Sequence, residues 1–288
     1  MIMLNKKFLS FILLMVMMII YLFVTAPPPL SEHDNTGVRL PTRAVLQLAN
    51  EENKLARALY TREIVQAGKK QGLKFDEQWQ EKDIIAGLLP AQFLRETATY
   101  LEKSPVRLGL YLGSDYPINK VNQLTGKQLA IFNQIKQSRQ DHYFHLKDDQ
   151  TYVYMSPDSA IAKACVRCHN KHKQTPKKDW QLDDVMGATT WLYPTETISL
   201  AEAMGLLNEL RNGFAFAYGY FIHEIKQLSP QPVIGTKWPK DGYYVPNQNV
   251  FMQELSQQAS TQTLGKLMQL LANKDKDQAT EGSHVINQ

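Results

Sequence analysis

Cys165, Val166, Arg167, Cys168 and His169 are the residues of this chain whose types and spacing carry the clearest chemistry. Two thiols three positions apart can each form a thioether to a porphyrin edge, and the imidazole that follows can ligate iron from the same turn. That is the attachment pattern of a c-type haem, and it predicts one covalently held haem with His169 on one side of the iron.

Other chemistries share a C-x-x-C spacing. A redox dithiol expects a strand and a helix N-terminus in a βαβ pattern, and residues 158–164 ahead of the motif carry no strand signal. Zinc needs four ligands. With only two cysteines in the chain, Cys165, Cys168, His169 and His172 would have to close a tetrahedron within one segment. A disulfide between the two cysteines is the remaining alternative. No G-x-S-x-G, H-E-x-x-H or G-x-x-x-x-G-K-[ST] sequence occurs, so the chain is read as a non-enzyme.

The elements that must position the motif follow from periodicity. Thr42 precedes a helical stripe of Val45, Leu48, Leu55, Leu59 and Ile64 that is expected to stop at Gly68. Residues 83–87 and 90–101 read as a second helical region with Pro90 at its first position. Residues 106–112 have a strand's composition, 126–136 return to helix, and 142–146 with 151–155 form a hairpin about Lys147, Asp148, Asp149 and Gln150. Residues 185–193 are a further strand ended by Pro194. Residues 198–228 and 251–271 are helical, and the aromatic cluster Phe214, Phe216, Tyr218, Tyr220 and Phe221 is read as a packed face, with cofactor or partner contact as its alternative. Helices followed by antiparallel strands make an α+β protein with a small sheet backing the haem.

Lys6 and Lys7 precede an apolar run from Phe8 to Val24, and Glu32 and Asp34 follow it, the charge order of an export signal. As a helix the run rises roughly 25 Å, close to what a bilayer core requires. Residues 1–26 are therefore expected to be a signal-anchor membrane helix, with a cleaved signal peptide as the alternative, and 27–40 a proline-rich linker. A haem-binding domain is expected over 41–195, a helical C-terminal extension over 196–272, and a tail without fixed structure over 273–288. The net charge of +4 over 288 residues, without an arginine-rich stripe, gives no support to nucleic-acid binding.

Leu59-Tyr60-Thr61, the run from Gly87 to Leu94, Pro117-Ile118-Asn119 with Asn122, the motif continued by Asn170, the run from Pro176 to Trp180, and Asp184-Val185-Met186-Gly187 make residues 41–193 resemble the Tll0287-like family of exported haem sensor domains. The resemblance implies a PAS-like fold, a small antiparallel sheet with long N-terminal helices. It also implies thioethers at Cys165 and Cys168 and proximal ligation by His169. One branch of that family takes its sixth iron ligand from a cysteine in an N-terminal helix, and this chain has no third cysteine. Either another side chain binds or the position is open to water or a gas.

Met155, at the end of the hairpin strand, is the methionine best placed by sequence for that sixth position, with filling a core gap as its other role. Met186, His142, His145 and His172 rank behind it. Arg107, Tyr143 and Tyr154 are candidates for the haem propionates. Trp180 is a candidate for packing on the porphyrin edge, and Asp179 and Asp184 for anchoring loop N–H groups.

The expected role is an exported, membrane-tethered monohaem c-type domain that senses redox state or a small gas. One alternative is a monohaem electron-transfer cytochrome that docks a redox partner through Lys171, His172, Lys173, Lys177 and Lys178. Another is a haem-bearing subunit that recruits a signalling partner through residues 198–228. Each version puts the chain at the bacterial inner membrane with its bulk in the periplasm.

Overall fold

The computed structural model describes Ile12, residues 14–18, Tyr21, residues 37–238 and residues 245–285. The chain divides into two units, Met1–Val38 and Arg39–Gln288. Among the described residues no helix is long and apolar enough to cross a membrane. Of the anchor expected over 1–26, Ile12, residues 14–18 and Tyr21 are described and are helical, while its other residues and most of the linker over 27–40 lie outside the described residues.

In the second unit a short strand, β1 (Arg39–Pro41), leads into α1 (Thr42–Leu59), which continues as a π-helical stretch (Tyr60–Gln66) and a last α-helical turn (Ala67–Lys70). Gly68 lies inside this helix and does not end it. The Phe75 ring sits 2.9 Å from where a Cβ on Gly68 would be, and Gly72, at φ +88°, turns the chain instead. Residues 83–87 are turn and extended chain, not helix. Gly87–Leu88 (β3) are drawn into parallel pairing with Phe75–Asp76 (β2), and a side chain on Gly87 would meet the Phe221 ring at 2.9 Å. Helix α2 (Pro90–Lys103) begins at Pro90, as expected.

The sheet is built from β4 (Gly109–Gly113), β5 (His142–Leu146), β6 (Thr151–Ser159) and β7 (Val185–Tyr193), antiparallel throughout and ordered β4-β7-β6-β5. Helix α3 (Gly126–Ser138) precedes the hairpin, and α4 (Lys163–Lys171) stands between β6 and β7. Strand β8 (Thr197–Ser199) pairs with β1, and Ser199 caps α5 (Leu200–Ile225) in a capping box with Glu202. Two short strands, β9 (Ile234–Gly235) and β10 (Val245–Pro246), pair in parallel before α6 (Gln248–Val285). The architecture is α+β. No proline falls within 247–288, and α6 runs as far as Val285 through residues 273–285, where the sequence pattern predicts no fixed structure.

Side-chain alternation gives the sheet two buried faces. Val153, Met155 and Ala188 pack with Phe132 and Ile135 of α3. Tyr154, Trp191 and Tyr193 face the opposite way, into a larger core with Leu46 and Tyr60 of α1, Phe93 of α2, Phe214, Tyr218 and Phe221 of α5, and Phe251 of α6. Tyr60 stacks on Phe93 with centroids 4.5 Å apart, and Tyr218 on Phe251 at 4.1 Å. The helices after residue 195 are thus part of one interior shared with 39–194, and the boundary expected there is not a structural one. Phe214, Tyr218 and Phe221 belong to that interior, whereas Tyr220 is 38% exposed and packs its ring edge on Trp79.

Candidate functional site

The motif lies on α4. Cys165, Cys168 and His169 stand at i, i+3 and i+4 of this helix, so all three project from one side of it. Both cysteines are free thiols, Cys165 and His169 are half-buried, and Cys168 is exposed. Asp158 and Ser159 belong to β6, so a strand does lead toward the motif, contrary to the sequence pattern. It leads there within an antiparallel sheet, not in the parallel βαβ setting of a redox dithiol.

The electrostatics suit a resident ligand set more than a reactive thiol. The Cys168 thiol is pushed above its ordinary range, first by lost solvation and then by the Glu77 carboxylate, against the pull of Lys69. That direction is opposite to the lowered value that activates a thiolate. His169 is pushed below its ordinary value, chiefly by burial and also by His172, while Asp158 and Glu77 oppose the shift. The imidazole is therefore neutral at pH 7, the form that ligates a metal.

The loop after α4 is tied down by its polar groups. The Asn170 side chain donates to the Trp180 carbonyl and accepts from the Trp180 N–H, both at 2.9 Å. Trp180 is 6% exposed, with the Lys177 ammonium 4.8 Å from its ring centroid and Tyr116 against its edge. Asp184 accepts from the Gln181 N–H at 2.7 Å, as expected of a loop anchor, while Asp179 instead pairs with Lys177 at 2.5 Å. His172 is turned to Glu77, with Nε2 2.5 Å from Oε1. Ala160 bonds to Asp184 and Asp183, which brings the segment carrying exposed Ile161 beside that carrying exposed Leu182.

Several expected site residues are not brought to the motif. Met155 is fully buried beneath α3, on the sheet face opposite Asp158, so it fills a core gap and is no candidate for the iron. His142 pairs with Met155 across the hairpin and His145 with Tyr152, away from α4. Arg107 is exposed, and its charge reaches Tyr193, at the end of β7 remote from Val185 by roughly 25 Å. Tyr154 is on the correct face, but its hydroxyl donates to Asp141 at 2.5 Å, and it sits about 13 Å up β6 from Asp158. Met186 offers its carbonyl to Ser114 at 2.6 Å.

Near the motif one group goes unannounced in the sequence, and another is announced without its role. Arg57, in the last turn of α1, donates to both oxygens of Asp158 at 3.0 and 3.3 Å and to Thr189 at 3.3 Å. Only the packing of α1 on β6 and β7 joins these residues, and no local pattern announces them. The other group is Asn170, whose position directly after His169 was the available signal.

The profile of one protein family matches residues 41–194. The chain belongs to the Tll0287-like family. Neither a curated protein nor a solved structure matches it. Membership points to a haem-related domain, and the Tll0287-like chemistry can be tested against the residues present. Two free thiols and a neutral imidazole share one side of α4, and two buried donors nearby, Trp180 Nε1 and Arg57 Nε, have no hydrogen-bond partner among the described residues. Buried N–H groups of this kind require an acceptor, and a haem would bring its carboxylates. The donor set fits the group.

Proposed function

We propose that this Tll0287-like chain is an exported, membrane-tethered domain that carries one haem c and senses redox state or a small gas at its iron. In this reading Cys165 and Cys168 bear the thioethers, His169 ligates the iron, and Trp180 borders the porphyrin. The observation that carries the reading is the projection of Cys165, Cys168 and His169 from one side of a helix that has no fully buried residue, so a large planar group has access. The haem supplies an iron whose potential and ligand affinity depend on its axial partners. The chain's own part is to hold His169 neutral, to clamp the neighbouring loop through Asn170, and to offer buried donors.

Sensing is favoured because Met155 is committed to the α3 core and His172 to Glu77. With both withdrawn, a bound haem would be left to take water or a diatomic gas at its iron. A PAS-like description of the sheet, the periplasmic location, the N-terminal anchor and the absence of turnover are parts of the same proposal. Electron transfer is the second reading, favoured by exposed Lys171, Lys173 and Lys178 beside α4. It requires a partner-dependent rate that falls with added salt. Partner recruitment through α5 is disfavoured because Phe214, Tyr218 and Phe221 lie in the core.

The test is maturation of the full chain in a periplasm equipped for haem attachment, then mass spectrometry and absorption spectra of the oxidised, reduced and carbon monoxide-treated forms. The expected result is a mass gain of one haem, lost in C165S/C168S, and a carbon monoxide-shifted reduced spectrum. A polypeptide of unmodified mass overturns the haem reading. A covalent haem indifferent to carbon monoxide and nitric oxide in both oxidation states overturns gas sensing.

A further inference from the structure

Remote from the motif, a cleft of about 200 Å³ opens between the start of α1 and the base of the β5–β6 hairpin, lined by Arg43, Gln47, Gln140, Asp141, Tyr143 and Tyr154. Its chemistry has two ends. Arg43 has no hydrogen-bond or carboxylate partner among the described residues, although its charge reaches the phenols of Tyr143 and Tyr154. Asp141 carries the opposite charge and is held rigidly. Its Oδ2 accepts from the Tyr154 hydroxyl at 2.5 Å and its Oδ1 from the Ser156 hydroxyl at 2.7 Å, with Lys54 Nζ 3.8 Å away.

Arg43 and Asp141 line one cleft yet form no ion pair with each other. A carboxylate offers about four acceptor sites, so the two hydroxyls leave Asp141 room for further donors. An unpartnered guanidinium is planar and suits a carboxylate bidentately. The surrounding charge argues against a plain anion, because the Asp141 carboxylate lines the same cleft and Glu196 reaches the Tyr143 phenol, which offsets Arg43 and Lys54. The cleft is also below the roughly 300–1,000 Å³ of drug-sized sites, which excludes a large ligand.

We propose that this cleft binds a small zwitterion, an α-amino acid with a short side chain, its carboxylate on Arg43 and its ammonium on Asp141. The amides of Gln47 and Gln140 complete the rim and read the ligand's remaining polar atoms. The site draws on none of the residues assigned to the haem, so it stands or falls separately from that reading.

Isothermal titration calorimetry of the purified full chain with glycine, alanine and serine, and with acetate and methylamine as single-charge probes, tests the assignment. At least one amino acid should bind, with each single-charge probe at least about tenfold weaker. Arg43→Gln, at an exposed position, should weaken amino-acid binding about tenfold or more without moving the thermal midpoint of the unliganded protein. Gln140→Ala should weaken it less. No heat from any amino acid, acetate binding as tightly as glycine, or undiminished binding by the Arg43 variant would each overturn the proposal.

Discussion

The two faces of the four-stranded sheet are buried by opposite means. Under α3, Val153, Met155, Phe132, Ile135 and Ala188 make an interior that is mostly hydrocarbon, with the fully buried Thr190 opposite Met155 as a polar member. Under α1, apolar packing is threaded with paired polar groups. Trp191 Nε1 donates to Asn50 at 3.0 Å, and Arg57 meets Asp158. Glu52, 3% exposed, accepts from Arg211 at 2.6 and 2.8 Å and from Thr263 at 2.6 Å. The first face mainly fills space. The second joins segments more than a hundred residues apart, and the cysteine motif lies at its border.

That contrast is sharpest at Glu52. Replacing it by alanine strands the Arg211 guanidinium and should cost about 4 kcal/mol of unfolding free energy in a denaturant titration; a cost below about 1 kcal/mol would erase the distinction. On the apolar face, Met155→Ala should cost about 3 kcal/mol through the cavity it leaves, with the visible spectrum of the haem-loaded protein unchanged. Met155→Leu should cost less than about 1.5 kcal/mol. A spectral change in either variant would return Met155 to the iron. Asn170→Ala removes both bonds to the Trp180 backbone and should cost about 1–2 kcal/mol, with faster proteolysis of the loop between α4 and β7 as a local readout.

The smallest expected effect is alkaline. Tyr143 is pushed up to about 12, first by burial and then by Tyr152 and Glu196, while Arg43 pulls the other way. Tyr154 and Tyr193 are pushed up as well, by burial and by their Asp141 and Glu202 partners. A phenol whose folded value lies above its unfolded one, near 10, stabilises fully below that pH and loses its contribution as the pH climbs through the folded value. Denaturant midpoints should therefore fall between pH 10 and 12, and Tyr143→Phe should flatten that fall.

Local signals were legible wherever the cause was local. The hairpin turn, the start of α2 at Pro90 and the strand ending at Tyr193 all follow from residues in contact along the chain. The Ser199–Glu202 capping box was equally readable, although the periodicity alone starts the helix at 198. Met155 escaped for a different reason. Both faces of β6 are buried, so alternation cannot say which parity meets α3 and which meets α1. Arg107 reads as a propionate partner only while its place along the sheet is unknown. Gly68 looked like a stop because glycine usually is one; here it is a gap for the Phe75 ring.

Phe214, Tyr218, Phe221 and Phe251 fill the same interior as Tyr60 and Phe93, yet all four leave the ribosome after Cys165, Cys168 and His169. During synthesis both thiols are therefore on offer while the body that will enclose α1 and α2 still lacks its keystone. Those four rings close the interior around Tyr60 and Phe93 only once the last two helices have docked.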